Sequence, residues 1–344
     1  MGNLFRTLLV SRVIRNLLQQ LLATAGGGRV IILHNSTVTI IVYEGTDMKV
    51  GFIGVGYMGR HMARNIALGG YEMTVFDIRR EAAEELLSMG ATWADSPAAV
   101  AAASDVVFTS LPRPQDVEEV ALGEGGILSG AGAGTVFFDL STTDPDTIYR
   151  ISAAGESNGV TVLDAPVSGG VGGAENGTLC VMVGGDEDAY LRCKPVLDRI
   201  GDKVMRCGDL GSGAICKIVN NLIGLSVHVL LSEAFSLGVK AGVDPQTLFD
   251  AVKGSSGNTQ SMQRLPYDLF VGNFEPGFQL DLAAKDVGLA TEMGRSLRVP
   301  MELANVVQQR YIAGQNKGWG RESSGAVAKV QEERAGVEIR TAGS

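Results

Sequence analysis

One residue of this sequence is well suited to moving a proton: a lysine set one turn inside a long apolar helix. Lys217 stands in Gly213-Ala-Ile-Cys-Lys217-Ile-Val-Asn220-Asn221, within an apolar pattern that predicts a helix from Gly213 to about Ala241. Gly213 lies four residues before the lysine and Asn221 four after, so the three share one stripe, with Asn220 beside it. Ile215, Cys216, Ile218, Val219, Leu222 and Ile223 leave little of this turn free to face water. An ammonium so crowded loses part of its preference for the charged form, and an amine titrating near neutrality can act as general acid or base. The competing reading is a surface lysine whose stem covers apolar neighbours while its head stays in water.

A second group of residues can hold a phosphate. The short apolar strand Met48–Ile53 runs into Gly54-Val55-Gly56-Tyr57-Met58-Gly59 and then a helical pattern from His61 to Leu68. A further strand, Glu72–Asp77, ends on an acid. Glycine at 54 permits the tight turn, at 56 the close approach of a pyrophosphate, and at 59 close helix–strand packing. Asp77 is placed to accept from an adenosine ribose and would repel a 2′-phosphate, so NAD is expected. Arg79 and Arg80 follow at once, and a guanidinium there could grip that phosphate and admit NADP.

The elements that must position these groups alternate strand and helix. Asp105–Leu111 is an apolar strand ending at Leu111-Pro112, and Thr135–Leu140 another, ending in Ser141-Thr142-Thr143. Strand ends of this kind line the crevice of a doubly wound sheet. Ser141 and Thr142 are read equally as part of the turn before a helix capped by Asp144 and started by Pro145. Asp164-Ala-Pro-Val-Ser168-Gly169-Gly170 places small residues in a row, exposing backbone N–H groups that suit a carboxylate or phosphate; a flexible loop is the alternative. After the Lys217 helix the pattern is entirely helical, with a stop at Gly242 and a restart at Asp244-Pro245.

The 344 residues exceed one ordinary domain, and the net charge is −9. Residues 1–47 carry four Arg against Glu44 and Asp47, leaving −11 on the rest, which argues against nucleic acid as a partner. Cys180, Cys193, Cys207 and Cys216 show no CxxC spacing and the three histidines lie far apart, so no metal site or disulfide framework is indicated. Residues 1–47 are acid-free before Glu44, with Arg6, Arg12 and Arg15 among leucines at helical spacing. They read as a transit-like segment or as an extension of no structural consequence before a working start at Met48. Their apolar runs are interrupted by Arg or too short to span a bilayer, so no membrane partner is expected. Residues 30–43 could form strands, with no evident partner.

Four motifs in order give the chain a resemblance to the β-hydroxyacid dehydrogenase family: Gly54–Gly59, Asp164–Gly170, Gly213–Lys217–Asn221, and Phe278…Leu282…Lys285-Asp286. The resemblance covers about Met48 to Gly320. It implies an α/β fold, with a Rossmann-type NAD(P)-binding domain over 48–211 and an all-helical domain over 212–320; residues 321–344, outside the resemblance, read as a polar tail, mobile or loosely helical. Carried over position by position, it makes Lys217 the acid/base, and gives Asn220, Asn221 and Ser141 to the substrate. Ser168, Gly169 and Gly170 would take the substrate carboxylate, Leu111, Pro112 and Thr142 would lie along the nicotinamide, and Lys285 would close over the cofactor.

The resemblance also implies a small-molecule carboxylate partner, and a homodimer or homotetramer is expected; the cysteines read as reduced thiols of a cytoplasmic protein, or of the mitochondrial matrix if residues 1–47 are a transit peptide. Val171 and Asn221 look like the 3-hydroxyisobutyrate branch more than the tartronate semialdehyde branch. A non-catalytic nucleotide-binding protein on the same fold is the rival from another class; there Lys217 would typically be lost.

Overall fold

The computed structural model describes residues 48–341 in full and, before them, the backbone of strands β1 (Leu8–Leu9), β2 (Arg29–His34) and β3 (Thr37–Val42). β2 and β3 pair antiparallel, Arg29 opposite Val42 and His34 opposite Thr37, and β1 adds to β3. The expectation that residues 30–43 lack a partner is therefore corrected. Two β-branched runs separated by Asn35-Ser36 satisfy each other as a hairpin. The transit-like reading of residues 1–47 otherwise lies outside the described residues.

The main sheet has nine strands. β4 (Val50–Ile53), β5 (Met73–Phe76), β6 (Thr92–Trp93), β7 (Val106–Thr109), β8 (Val136–Asp139) and β9 (Thr161–Asp164) run parallel in the order β6-β5-β4-β7-β8-β9. β4, β7 and β8 are buried at every position, as expected of parallel strands covered by helices on both faces. Phe52, Phe108 and Phe138 stack across these three strands, with ring centroids 6.1 and 5.4 Å apart. Strand order reverses between β4 and β7, which opens a crevice at their carboxyl ends. β11 (Cys180–Gly184) pairs antiparallel with both β9 and β10 (Val167–Ser168), and β12 (Lys203–Gly208) lies parallel to β11.

From Ser212 the described chain is helical. The 29-residue helix Ser212–Lys240 is the axis of this half. Leu225 and Val229 pack with Leu280, Val287 and Tyr311, while Leu231 and Phe235 pack with Phe249 and Phe270. The helix stops before Gly242, whose φ of +91° is left-handed, and the next, Pro245–Lys253, is capped by Asp244 accepting from the Thr247 N–H at 3.0 Å. The architecture is a Rossmann-type α/β domain followed by an all-helical domain.

The segment beyond Gly320 is not a loose tail. Helix Val327–Ala335 buries Val327 and Val330, and Ile339 beyond it is fully buried in the cluster around Phe235 and Phe270. Glu332 accepts from the Ile339 N–H at 2.7 Å and pairs with Arg340 at 2.6 Å. Val327, Val330 and Ile339 are buried within a segment whose polar composition hides them.

Candidate active site

The crevice at the carboxyl ends of β4 and β7 is closed on its far side by the helical domain, leaving a cleft of about 540 Å³. The glycine loop between β4 and helix Gly59–Leu68 forms one wall. Gly54 takes φ +87°, and a Cβ at Gly59 would strike the Gly54 carbonyl, so both positions need glycine. Gly56 has open space before it, as the close approach of a phosphate requires. Gly54 and Val55 lie beneath the cleft rather than on it, and the Val55 N–H donates to Asp77 Oδ2 at 3.0 Å. The other oxygen of the buried Asp77 accepts from the Arg79 N–H at 2.9 Å. Both Asp77 bonds leave carboxylate lone pairs for a ribose hydroxyl. The loop and Asp77 therefore fit a dinucleotide.

The opposite walls come from loops at strand ends. Asp139, buried at the end of β8, accepts from Thr109 Oγ1 (2.7 Å), Thr143 Oγ1 (2.8 Å) and the Ser141 N–H (3.0 Å). Burial pushes its carboxyl up and these donors oppose that. The effect is to fix the 141–143 turn. Ser141 Oγ in turn accepts from the Leu111 N–H at 2.9 Å, joining the turns after β7 and β8. Leu111, Pro112, Ser141, Thr142, Ser168 and Gly170 all line the cleft, as do Tyr57, Met58 and Gly169.

The amino end of the long helix is tied to the sheet by Asp164, the first residue of the Asp164–Gly170 signature. Its carboxylate accepts from the Gly211 N–H at 2.7 Å and the Ala214 N–H at 2.6 Å. Gly213 is the point of closest approach, where a Cβ would run into the Met182 carbonyl. One turn on, Lys217 is only 8% exposed and lines the cleft. Burial lowers its pKa from the ordinary 10.5 to about 8; the Asp286 carboxylate opposes the shift and the Lys285 ammonium adds to it. The crowding expected from Ile215, Val219 and Ile223 is not the cause. Those side chains are exposed, Ile223 by 61%, and Lys217 is buried by the sheet and the helix Leu280–Ser296.

That second helix brings Lys285 and Asp286. Lys285 Nζ donates to the Thr142 carbonyl at 2.7 Å, bridging the two domains across the cleft, and lies 3.1 Å from Asp286 Oδ1. Asp286 is 1% exposed, far from the solvated charge pair its neighbour suggests. Its Oδ2 accepts from Asn221 Nδ2 at 2.5 Å, and Asn220 Nδ2 donates to Asn221 Oδ1 at 3.0 Å. A carboxylate can only accept, so Asn221 must turn its NH₂ toward Asp286, which leaves one N–H over. Asn220 itself is exposed and does not line the cleft, which corrects its placement on the substrate: one residue from the Lys217 stripe, it faces outward.

Asp139, Asp164 and Asp286 make hydrogen bonds that residue spacing did not reveal, although Asp164 and Asp286 already stand in the motifs of the sequence. The comparisons with known proteins show the family. Residues 49–208 match the family described as the NAD binding domain of 6-phosphogluconate dehydrogenase, and residues 211–331 the one described as NAD-binding of NADP-dependent 3-hydroxyisobutyrate dehydrogenase. The chain belongs to the β-hydroxyacid dehydrogenase family. It is an NAD(P)-dependent hydroxyacid dehydrogenase.

Among family members, 2-(hydroxymethyl)glutarate dehydrogenase of Eubacterium barkeri is 40% identical over 294 residues, covering 85% of this chain and 98% of the relative. Mitochondrial 3-hydroxyisobutyrate dehydrogenase of Homo sapiens is 34% identical over 294 residues, covering 83% and 87%. The crystal structure of 3-hydroxyisobutyrate dehydrogenase from Salmonella typhimurium superposes with a TM-score of 0.75 at 30% identity, covering 83% of this chain and all of that one.

Proposed function

We propose that this β-hydroxyacid dehydrogenase interconverts a small 2-(hydroxymethyl) carboxylate and its semialdehyde, with 3-hydroxyisobutyrate the leading substrate. The observation that carries the reading is a buried lysine with a pKa of about 8 lining the same cleft as the glycine loop and the Ser168–Gly170 turn. Bound NAD(P) supplies the hydride acceptor. Gly54–Gly59 would hold its pyrophosphate and Asp77 its ribose, while Leu111, Pro112 and Thr142 would face the nicotinamide. Ser168 and the N–H groups of Gly169 and Gly170 would hold the substrate carboxylate. The spare N–H of Asn221 would orient the substrate oxygen, and Ser141 would line the same end. In oxidation, neutral Lys217 takes the hydroxyl proton; in reduction it returns one to the carbonyl oxygen. Lys285, fixed to Thr142 and Asp286, would keep the cleft closed and dry.

NAD is the expected cofactor. Asp77, bonded to the glycine loop through the Val55 N–H, would repel a 2′-phosphate, while the Arg79 guanidinium lies largely in solvent and Arg80 stacks over Trp93 at 4.8 Å. A cytoplasmic homodimer or homotetramer is the expected assembly, supported by the exposed apolar row Ile223, Leu230 and Leu237 at seven-residue spacing on the long helix. Light scattering coupled to gel filtration tests it.

A second substrate, 2-(hydroxymethyl)glutarate, is favoured by the Eubacterium barkeri relative. The deciding experiment is kcat/KM with NAD for 3-hydroxyisobutyrate, 2-(hydroxymethyl)glutarate and, in reduction, tartronate semialdehyde. Dominant tartronate activity would overturn the substrate reading.

A further inference from the structure

On the side of the helical domain the cleft is bounded by Pro276–Gln279, the loop that leads into the helix Leu280–Ser296. Close packing does not hold this loop. Phe278 is 38% exposed, and Pro276–Phe278 also line a second cavity, of about 560 Å³. A wall with open space on two sides has its place set by its bonds. Those bonds run to the segment Gly320–Ser324. The Leu280 N–H donates to the Glu322 carbonyl and the Asp281 N–H to the Gly320 carbonyl, both at 2.9 Å. In return, the Ser324 N–H donates to the Phe278 carbonyl at 2.7 Å and the Ser323 N–H to the Phe274 carbonyl at 3.0 Å. One cation clasps both partners. Lys329 Nζ sits 4.0 Å over the Trp319 ring and 5.1 Å from that of Phe274, and pairs with Glu322 at 2.6 Å. It thereby joins Phe274, just before the loop, to Glu322, which bonds its far end.

We propose that Lys329, seated between Trp319 and Phe274 and paired with Glu322, is a positioning residue that holds the Pro276–Gln279 wall against bound substrate. The proposal rests on this cleft being the substrate site of the reaction assigned to Lys217. Lys329 does not line the cleft itself and acts through the wall. A substrate meets such a wall in the ground state and the transition state alike. Loosening it therefore weakens binding more than chemistry: KM rises while kcat holds.

The test begins with Lys329→Met, which keeps the apolar stem and loses the cation. KM for 3-hydroxyisobutyrate in NAD-dependent oxidation should rise about three- to tenfold, the scale of a partly desolvated cation–π contact with its ion pair. kcat and the KM for NAD should stay within about twofold. Hydrogen exchange of the ligand-free protein, read by mass spectrometry, should speed up in the peptide carrying the Leu280 and Asp281 N–H groups. Lys329→Arg keeps charge and stacking and should restore both readouts, and Trp319→Phe should move both in the direction of Lys329→Met by a smaller amount. Lys317→Met is the control: Lys317 lies 6.0 Å over the same Trp319 ring but pairs with Glu333 at the surface, so neither readout should change. Unchanged exchange or unchanged KM in Lys329→Met, a loss confined to kcat, or the same effects in Lys317→Met overturns the proposal. Faster exchange at the wall of an enzyme that does not oxidise 3-hydroxyisobutyrate supports the clasp and removes the substrate reading. Oxidation with normal KM in Lys329→Met removes the clasp alone.

Discussion

Replacing Lys217 by Met should make the protein more stable at neutral pH while removing its activity. Moving the amine from 10.5 to about 8 raises its unprotonated fraction at pH 7 by roughly 300-fold, which is what a base needs. The same displacement costs the fold about 3 kcal/mol, at about 1.36 kcal/mol for each tenfold. Below pH 8 the amine is charged in both folded and unfolded chains, and the folded state bears the whole cost. Between pH 8 and 10.5 the folded state gives up its proton first, so stability rises with pH; above 10.5 the cost is gone. Lys217→Met should therefore gain up to about 3 kcal/mol in urea unfolding at pH 7, with the gain shrinking toward zero by pH 10.5. Its kcat should fall by about 10²–10⁴-fold with NAD(H) affinity little changed. In the wild type, kcat/KM for oxidation should rise with pH and level off above about 8. A variant less stable than wild type at pH 7, or a stability difference that does not change with pH, would refute the account of Lys217.

Asn221→Ala frees Asp286 and loses the oriented N–H, so it should lower kcat and raise KM together by about tenfold or more, read from steady-state kinetics. Asp77→Asn should narrow or invert an NAD preference of about one to two orders of magnitude in kcat/KM, measured with both cofactors. Ending the chain at Gly320 exposes the sites filled by Val327, Val330 and Ile339, each worth about 1.5–3 kcal/mol, and should leave an aggregated or partly unfolded protein by circular dichroism and gel filtration.

The Rossmann half was legible because its signals are local. Gly54, Gly56 and Gly59 answer to backbone geometry within six residues, and the buried runs at β4, β7 and β8 carry no polar side chain before their last residues, Thr109 and Asp139. The Asp244 cap and the break at Gly242 were equally readable, since a cap needs only its own next turn. Residues 30–43 read as strands without an evident partner because the partner of each run is the other, across Asn35-Ser36.

The chemistry divides differently between sequence and tertiary structure. The sequence determined that a lysine, an asparagine four residues on and a glycine-rich phosphate loop stand in this chain, and side-chain type with helical period suffices for that. It did not determine why the lysine titrates near neutrality: its sequence neighbours Ile215, Val219 and Ile223 face away, and the desolvation comes from β11 and from a helix some 65 residues distant. Only folding makes Asp286 a buried acceptor that turns the Asn221 amide, Asp164 the anchor of the long helix, and Asn220 an outward-facing donor to Asn221. Desolvation and hydrogen-bond direction depend on atoms brought together from distant parts of the chain, and no spacing along the sequence encodes them.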